Sequence, residues 1–254
     1  MKDIKEIKLT FCGLPESGKT SFLAALSHLS NSCEIATDLK LESLPKHRYF
    51  INNLADRWLG CEEVLRTQVS NRDRLEMTVS KGSQRFRLEM PDLSGETWKN
   101  LWVDHELDNE NISFINQSHG ILFFIHCDNI QYPYTIGDVQ VMNYTTDSNG
   151  DEKAKPAPWN PSIHTPTQTI VVDLLSKLFS LIDNREARLA IVLSAWDKAD
   201  EGIAPTAFIQ RELPLLGQYL NSKLDFQYVE IFGVSAQGGD LKNNEIRTRL
   251  GFVA

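Results

Sequence analysis

The chain has 254 residues, 41% of them hydrophobic and 24% charged, with a formal net charge of −8. That is the composition of a folded globular protein, long enough for one large domain or for one domain carrying an insertion. The acidic balance leaves no electrostatic footprint for nucleic acid or an anionic membrane surface, so neither is expected as a partner.

Taken in chain order, "MKDIKEIK" has no apolar signal region, and the longest strongly apolar run, "GILFFIHC", is too short to span a bilayer; the chain reads as cytoplasmic. The four cysteines, Cys12, Cys33, Cys61 and Cys127, lack metal-ligand spacing and read as buried, reduced thiols. "EIKLTFC" predicts a first strand, and "KTSFLAALSHLS" a helix with Phe22, Ala25, Leu26 and Leu29 on one face. "PKHRYFINNLADRWLG" predicts another helix between Pro45 and Gly60. "RLEMTVS" and "QRFRLEMPDL" flank "KGS" as a hairpin. "HGILFFIHCD" predicts a buried strand, "TIVVDLLSKLFSLID" a helix, "RLAIVLSAWD" a strand, "TAFIQRELPLLGQYL" a helix broken at Pro214, and "FQYVEIFGVSA" a last strand. The alternation predicts an α/β fold: a mostly parallel six-stranded sheet with helices on both faces. Residues 128–168, rich in Asn, Asp, Pro and Thr without a sustained period, interrupt it as a loop-rich insertion.

Between the first strand and first helix lies "GLPESGKT", which matches G-x-x-x-x-G-K-[ST] in the strand–helix setting that motif requires. Gly13 and Gly18 let the backbone curl until consecutive N–H groups face one anion, and the helix beginning near Lys19 adds its positive dipole end. The residues assigned to a bound nucleotide here are Gly13, Glu16, Ser17, Gly18, Lys19, Thr20 and Ser21. Lys19 reaches the β- and γ-phosphates and the Thr20 hydroxyl ligates Mg²⁺. Three later stretches select guanine over adenine. "DLSGE" has Asp92, which holds Mg²⁺ through water, and Gly95, whose N–H senses the γ-phosphate. "SAWDKAD" supplies a carboxylate for the guanine N1–H and N2–H₂, and "GVSAQ" a loop (Ser235, Ala236, Gln237) with a backbone N–H for the guanine oxygen. Four blocks in this order are those of a Ras-like P-loop G domain.

On "GLPESGKT", "DLSGE", "SAWD", "LPLLGQYL" and "GVSAQGGD", the chain resembles the TRAFAC class of GTPases, and within it the bacterial double-GTPase type. The resemblance spans nearly the whole chain. It implies a GTP- or GDP-binding switch domain that uses Mg²⁺, found in prokaryotic conflict or defence gene clusters.

Several residues depart from the common pattern. At the guanine reader, "SAWD" uses Asp197 and "DKAD" would use Asp200; the preceding strand ends naturally before Ser194 and the resemblance supports Asp197, with Lys198 beside it in the nucleotide site. Ala195 stands where a lysine usually covers the purine ring, which leaves Trp196 as a neighbour for it. Glu96 replaces the glutamine that orients attacking water; a carboxylate beside a triphosphate implies slow hydrolysis unless a partner or a raised pKa compensates. Thr67 is the expected switch threonine, both catalytic and a Mg²⁺ ligand, with Thr37 as competitor and Arg66 as a possible arginine finger in cis. With Thr67 in that role, the stretch at about 45–66 is a helical insertion in the first switch region of a single G domain over 1–254. After "GVSAQGGD" only "LKNNEIRTRLGFVA" remains, so the final helix is short or the chain is a fragment. The expected protein is a GTP-dependent switch read by an effector or a second GTPase-like subunit. The alternatives are a nucleotide-bound assembly module with negligible turnover and an ATPase.

Overall fold

Seven strands hydrogen-bond into one sheet in a computed structural model that describes residues 6–32, 34–43, 48–62, 75–91, 95–134, 160–222 and 225–251. In chain order they are β1 (Glu6–Gly13), β2 (Lys40–Ser43), β3 (Leu75–Lys81), β4 (Gln84–Met90), β5 (Gly120–His126), β6 (Arg188–Ser194) and β7 (Tyr228–Val234). Side by side they run β2-β3-β4-β1-β5-β6-β7. The last five in that row are parallel, and β3 is antiparallel to both of its neighbours. Parallel neighbours require crossover connections. These contain α1 (Lys19–Ser32) and α2 (Arg48–Leu59) before β3, α3 (Glu96–Val103) and α4 (Asn109–Asn116) before β5, α5 (Pro161–His164) and α6 (Thr167–Leu181) before β6, and α7 (Pro205–Glu212) and α8 (Pro214–Ser222) before β7; α9 (Asn244–Gly251) follows.

Successive side chains of a strand point to opposite faces, and both faces here are covered, which is why the central strands are apolar throughout. Phe11, Phe124 and Val192 share one core with Leu23 and Ala24 of α1 and Ile51 and Leu54 of α2. Their neighbours Cys12, Phe123, Ile125, Ile191 and Leu193 share the other with Trp98 and Leu101 of α3, Ile115 of α4 and helices α6 to α8. α6 buries Ile170, Val171, Leu174, Leu175 and Leu178, the i, i+4 stripe of a helix lying on a sheet. Pro214 has no N–H to continue α7 and opens α8 instead.

The expectation of six strands is corrected to seven. β2, "KLES", is polar and only four residues long, so neither period nor propensity marks it. It is a strand because β3 offers it a free edge, paired at Lys40↔Ser80 and Leu41↔Val79, with a salt bridge from Arg85 to Glu42 at 2.5 Å. α4 was also silent in the sequence; Asp108 caps it by accepting from the Asn111 N–H at 2.7 Å. The hairpin is as expected, seven pairs from Leu75↔Met90 to Lys81↔Gln84 closed by Gly82 and Ser83. Cys12 is buried, but Cys61 and Cys127 are only half-buried, and all three are free thiols; Cys33 lies outside the described residues. The two ends of the loop-rich insertion are tied together, with the Thr167 N–H donating to Gln131 O at 2.9 Å and the Gln131 N–H to Thr167 Oγ1 at 2.8 Å. α9 packs Ile246 and Leu250 over Gly239 and Gly238. Among the described residues no helix is long and apolar enough to cross a membrane.

Candidate nucleotide site

The chain reverses its winding direction at β1, with β4 on one side and β5 on the other, and ligands of open parallel sheets bind at strand C-terminal ends beside such a switch point. The loops after β1, β5, β6 and β7 converge there. The loop after β1 wraps around one cation. Lys19 is 2% exposed, and its Nζ donates to Gly13 O at 2.7 Å, Leu14 O at 2.9 Å and Ser17 Oγ at 3.2 Å. Immediately beyond it the first-turn N–H groups of α1 have no carbonyl partner inside the helix. A fixed ammonium and a helix N-terminus at one point make a site for an anion. Gly18, at φ 85°, is required by contact as well as conformation, because a Cβ would lie 2.8 Å from Ser194 Cβ and Oγ. Ser194 in turn donates to Ser17 O at 2.9 Å, so the end of β6 is fastened to the phosphate loop. Glu16 sits exposed at the tip with φ 61°. Thr20 and Ser21 open α1, both half-buried.

A cleft of about 190 Å³ adjoins the loop, between Gly18 and Ser21 on one side and Asp197, Lys198, Ala236 and Gln237 on the other. It is below the roughly 300 Å³ at which whole-ligand pockets begin, and so has room for part of a ligand. Its carboxylate is oriented: Ser235 Oγ donates to Asp197 Oδ1 and accepts from the Gly238 N–H at 3.0 Å. Lys198 Nζ reaches Asp128 Oδ2 at 2.9 Å and Asp240 Oδ2 at 3.4 Å, clasping the loops after β5, β6 and β7. The bond and charge of Lys198 hold Asp128 below the usual carboxylate range, and Asp240 is held low by the Lys242 N–H and by Lys198. Lys198 is raised in return, Asp128 first. Burial lowers His126 below the ordinary histidine value at the cleft floor, which favours its neutral form.

On the other side of the phosphate loop, Gly95 precedes α3 with φ 82°, and a Cβ there would lie 2.6 Å from Pro15 N and 2.7 Å from the Leu14 carbonyl carbon. The strand-end loop and the phosphate loop therefore touch backbone to backbone. Glu96 follows as the first residue of α3, 3.9 Å from Lys99.

The expected residues thus fall into two groups. Gly13, Glu16, Ser17, Gly18, Lys19, Thr20, Ser21, Gly95 and Glu96 surround the phosphate loop, while Asp197, Lys198, Ser235, Ala236 and Gln237 surround the cleft. Thr67, Arg66 and Asp92 lie outside the described residues, and among those described no group of three His, Cys, Asp or Glu could hold a metal ion. Thr37 faces a separate apolar groove, where its hydroxyl accepts from the Leu39 N–H at 3.1 Å. Asp200 points away to Arg211 at 2.7 Å. Trp196 is not beside the cleft: it packs on Phe208 at 5.4 Å and against Gly233, where a Cβ would meet the indole at 2.3 Å.

The Double-GTPase 1 family model matches residues 10–252, nearly the full chain and all of these loops. The chain belongs to the Double-GTPase 1 family. It is therefore a P-loop GTPase-type protein, and membership carries guanine-nucleotide binding. No curated protein matches the chain. In this Double-GTPase 1 family member, sequence reasoning missed His126 and Asp240, which line the cleft, and Asp128, which pairs with Lys198 beside it. The available signal was positional, since "HCD" ends a parallel strand and "GGD" follows the last one, where ligand-facing side chains concentrate.

Proposed function

We infer that this protein is a Mg²⁺-dependent guanine-nucleotide switch with slow GTP hydrolysis. The observation that carries the reading is the single cleft that places Asp197 and the Ala236–Gln237 backbone next to Gly18 and Ser21 of the phosphate loop. In this reading Asp197, oriented by Ser235, accepts from guanine N1–H and N2–H₂, which adenine does not offer. The Ala236 N–H meets the guanine oxygen. Lys19 and the first-turn N–H groups of α1 hold the phosphates. Thr20, Asp92 and Thr67 hold Mg²⁺, which when bound neutralises charge on the β- and γ-phosphates. Gly95, which packs against Leu14 and Pro15, registers the third phosphate in this reading. Glu96 supplies a carboxylate where a neutral amide would serve water attack better, and this supports a low hydrolysis rate. The chain acts as one G domain, with insertions at about 45–66 and 128–168 available to an effector or a second GTPase-like subunit. The resemblance to the bacterial double-GTPase type supports a place in a prokaryotic multi-component conflict system.

The test is titration with fluorescent GDP and ADP analogues in Mg²⁺, for the native protein and Asp197→Ala. Guanine-selective binding abolished by the substitution is expected; equal binding of both nucleotides overturns the reading. The salt bridge of Glu96 to Lys99 favours one second reading, an assembly module that binds nucleotide without turning it over. Strong thermal stabilisation by GTP with no phosphate release over hours identifies that case.

A further inference from the structure

We propose that Trp58 is a positioning residue for the guanine base, through which the inserted helix α2 and the base loop are energetically coupled. The inference rests on reading the cleft as a guanine site. α2 lies far from the base loop in sequence, yet the Trp58 indole N–H donates to Ala236 O at 2.7 Å across 178 residues. That carbonyl belongs to the peptide joining Ala236 to Gln237, two residues that line the cleft. Fixing it sets the plane of that peptide and thereby the direction of the Gln237 N–H, and restrains the Ala236 torsions that aim the preceding N–H.

The contact is well supported from the helix side. Ile51 and Leu54, 0% and 4% exposed, bury the first two turns of α2 in the core. At its C-terminal end the Trp58 ring lies 5.6 Å from His28 of α1, and His28 in turn meets Glu34 at 3.1 Å. Trp58 and Ser235–Gly238 together line an apolar groove of about 460 Å³ that shares Ala236 and Gln237 with the cleft. Trp58 is thus held by packing, and its one polar group is spent on the base loop. An indole has a single donor and no acceptor, so this bond takes up its whole hydrogen-bonding capacity.

Coupling is reciprocal: if α2 in place favours the base, the base favours α2 in place. A base bound in the cleft therefore fixes α2, and a partner that displaces α2 loosens the base.

Trp58→Phe keeps the ring and deletes the donor. Dissociation constants for GDP and for inorganic tripolyphosphate, which has no base, are measured for both proteins together with hydrogen exchange in 48–59. GDP binding is expected to weaken about tenfold, the ordinary consequence of losing one hydrogen bond, with tripolyphosphate unchanged. GDP is expected to slow exchange in α2 of the native protein and to slow it much less in Trp58→Phe. Equal weakening of GDP and tripolyphosphate means a general structural role and overturns the proposal, as does unchanged GDP binding. Native protein that binds GDP and ADP alike instead refutes the guanine reading, and the coupling falls with it.

Discussion

Gly95→Ala tests the backbone contact between the two loops that would sense the third phosphate. Alanine at φ 82° incurs the left-handed penalty of roughly 1–2 kcal/mol. Its Cβ would also fall 2.6 Å from Pro15 N, against ordinary contact from 3.4 Å, so the loops must part by about 0.8 Å. Backbone on both sides cannot rotate away as a side chain can. Overpacking of this kind costs about 1–3 kcal/mol more. Gly82→Ala is the control, because Gly82 has φ 60° in the hairpin turn and nothing within 4 Å of its added Cβ. The control carries the conformational penalty alone. The difference between the two variants isolates the loop contact, at about 2 kcal/mol, or roughly 4–8 °C in Tm for a chain of this size. The same displacement moves Leu14 O, which holds Lys19 Nζ at 2.9 Å, so GTP affinity is expected to fall about tenfold in Gly95→Ala and to hold in Gly82→Ala. Thermal melts and GTP titrations of the two variants decide it. Equal melting temperatures with unaltered GTP binding would refute the contact.

Ser194→Ala removes the donor to Ser17 O, and GDP dissociation measured by fluorescence is expected to quicken about fivefold, from the loss of about 1 kcal/mol. Lys198→Met opens the clasp to Asp128 and Asp240; native GDP retention should weaken with added salt, and in the variant this salt dependence should flatten. The clasp carboxylates are depressed, so their contribution is present above the ordinary carboxylate range and lost as pH falls through the lowered values. Lys198 is raised, so its contribution is lost only as pH rises through the raised value, and retention should be flat from about pH 7, where His126 is neutral, to about pH 9. Glu89, 3% exposed, is pushed up to about 7, chiefly by burial. A carboxyl raised in the folded state favours folding while protonated, and that advantage fades as pH rises from about 4.5 to about 7. Glu89→Gln should therefore gain stability over the native protein as pH rises through this window, by at most about 3 kcal/mol at pH 8, read as the difference in Tm shift between pH 5 and pH 8.

What was legible in the sequence is what local chemistry determines. "GLPESGKT" announced its turn because only glycine tolerates Gly18's approach to Ser194, and "RLAIVLS" announced a strand buried on both faces because all but its ends are apolar. β2 was not legible, since "KLES" becomes a strand only through the edge that β3 presents. Nor was the clasp: Asp128, Lys198 and Asp240 are separated by long stretches of chain, and only the parallel order of β5, β6 and β7 brings them together. The link from Trp58 to Ala236 is of the same kind, since the sequence showed a helix there without saying which of its residues would face a loop 178 positions away.

The two candidate carboxylates, Asp197 and Asp200, part company at one backbone position. Ala195 adopts φ 51°, the left-handed region, directly after Ser194. That single residue swings the chain out of β6 into a short 3-10 turn over Trp196–Lys198. Trp196 is thereby directed toward Phe208 and Gly233, and Asp197 and Lys198 toward the cleft. Asp200, beyond the turn, meets Arg211 of α7. A lysine at 195 would have to hold the same left-handed backbone. With alanine there, the lysine that lines the cleft with Asp197 is Lys198, one residue after the carboxylate rather than two before it. The turn thus gives up a lysine before Asp197 and gains a cation that the loops after β5 and β7 can both grip.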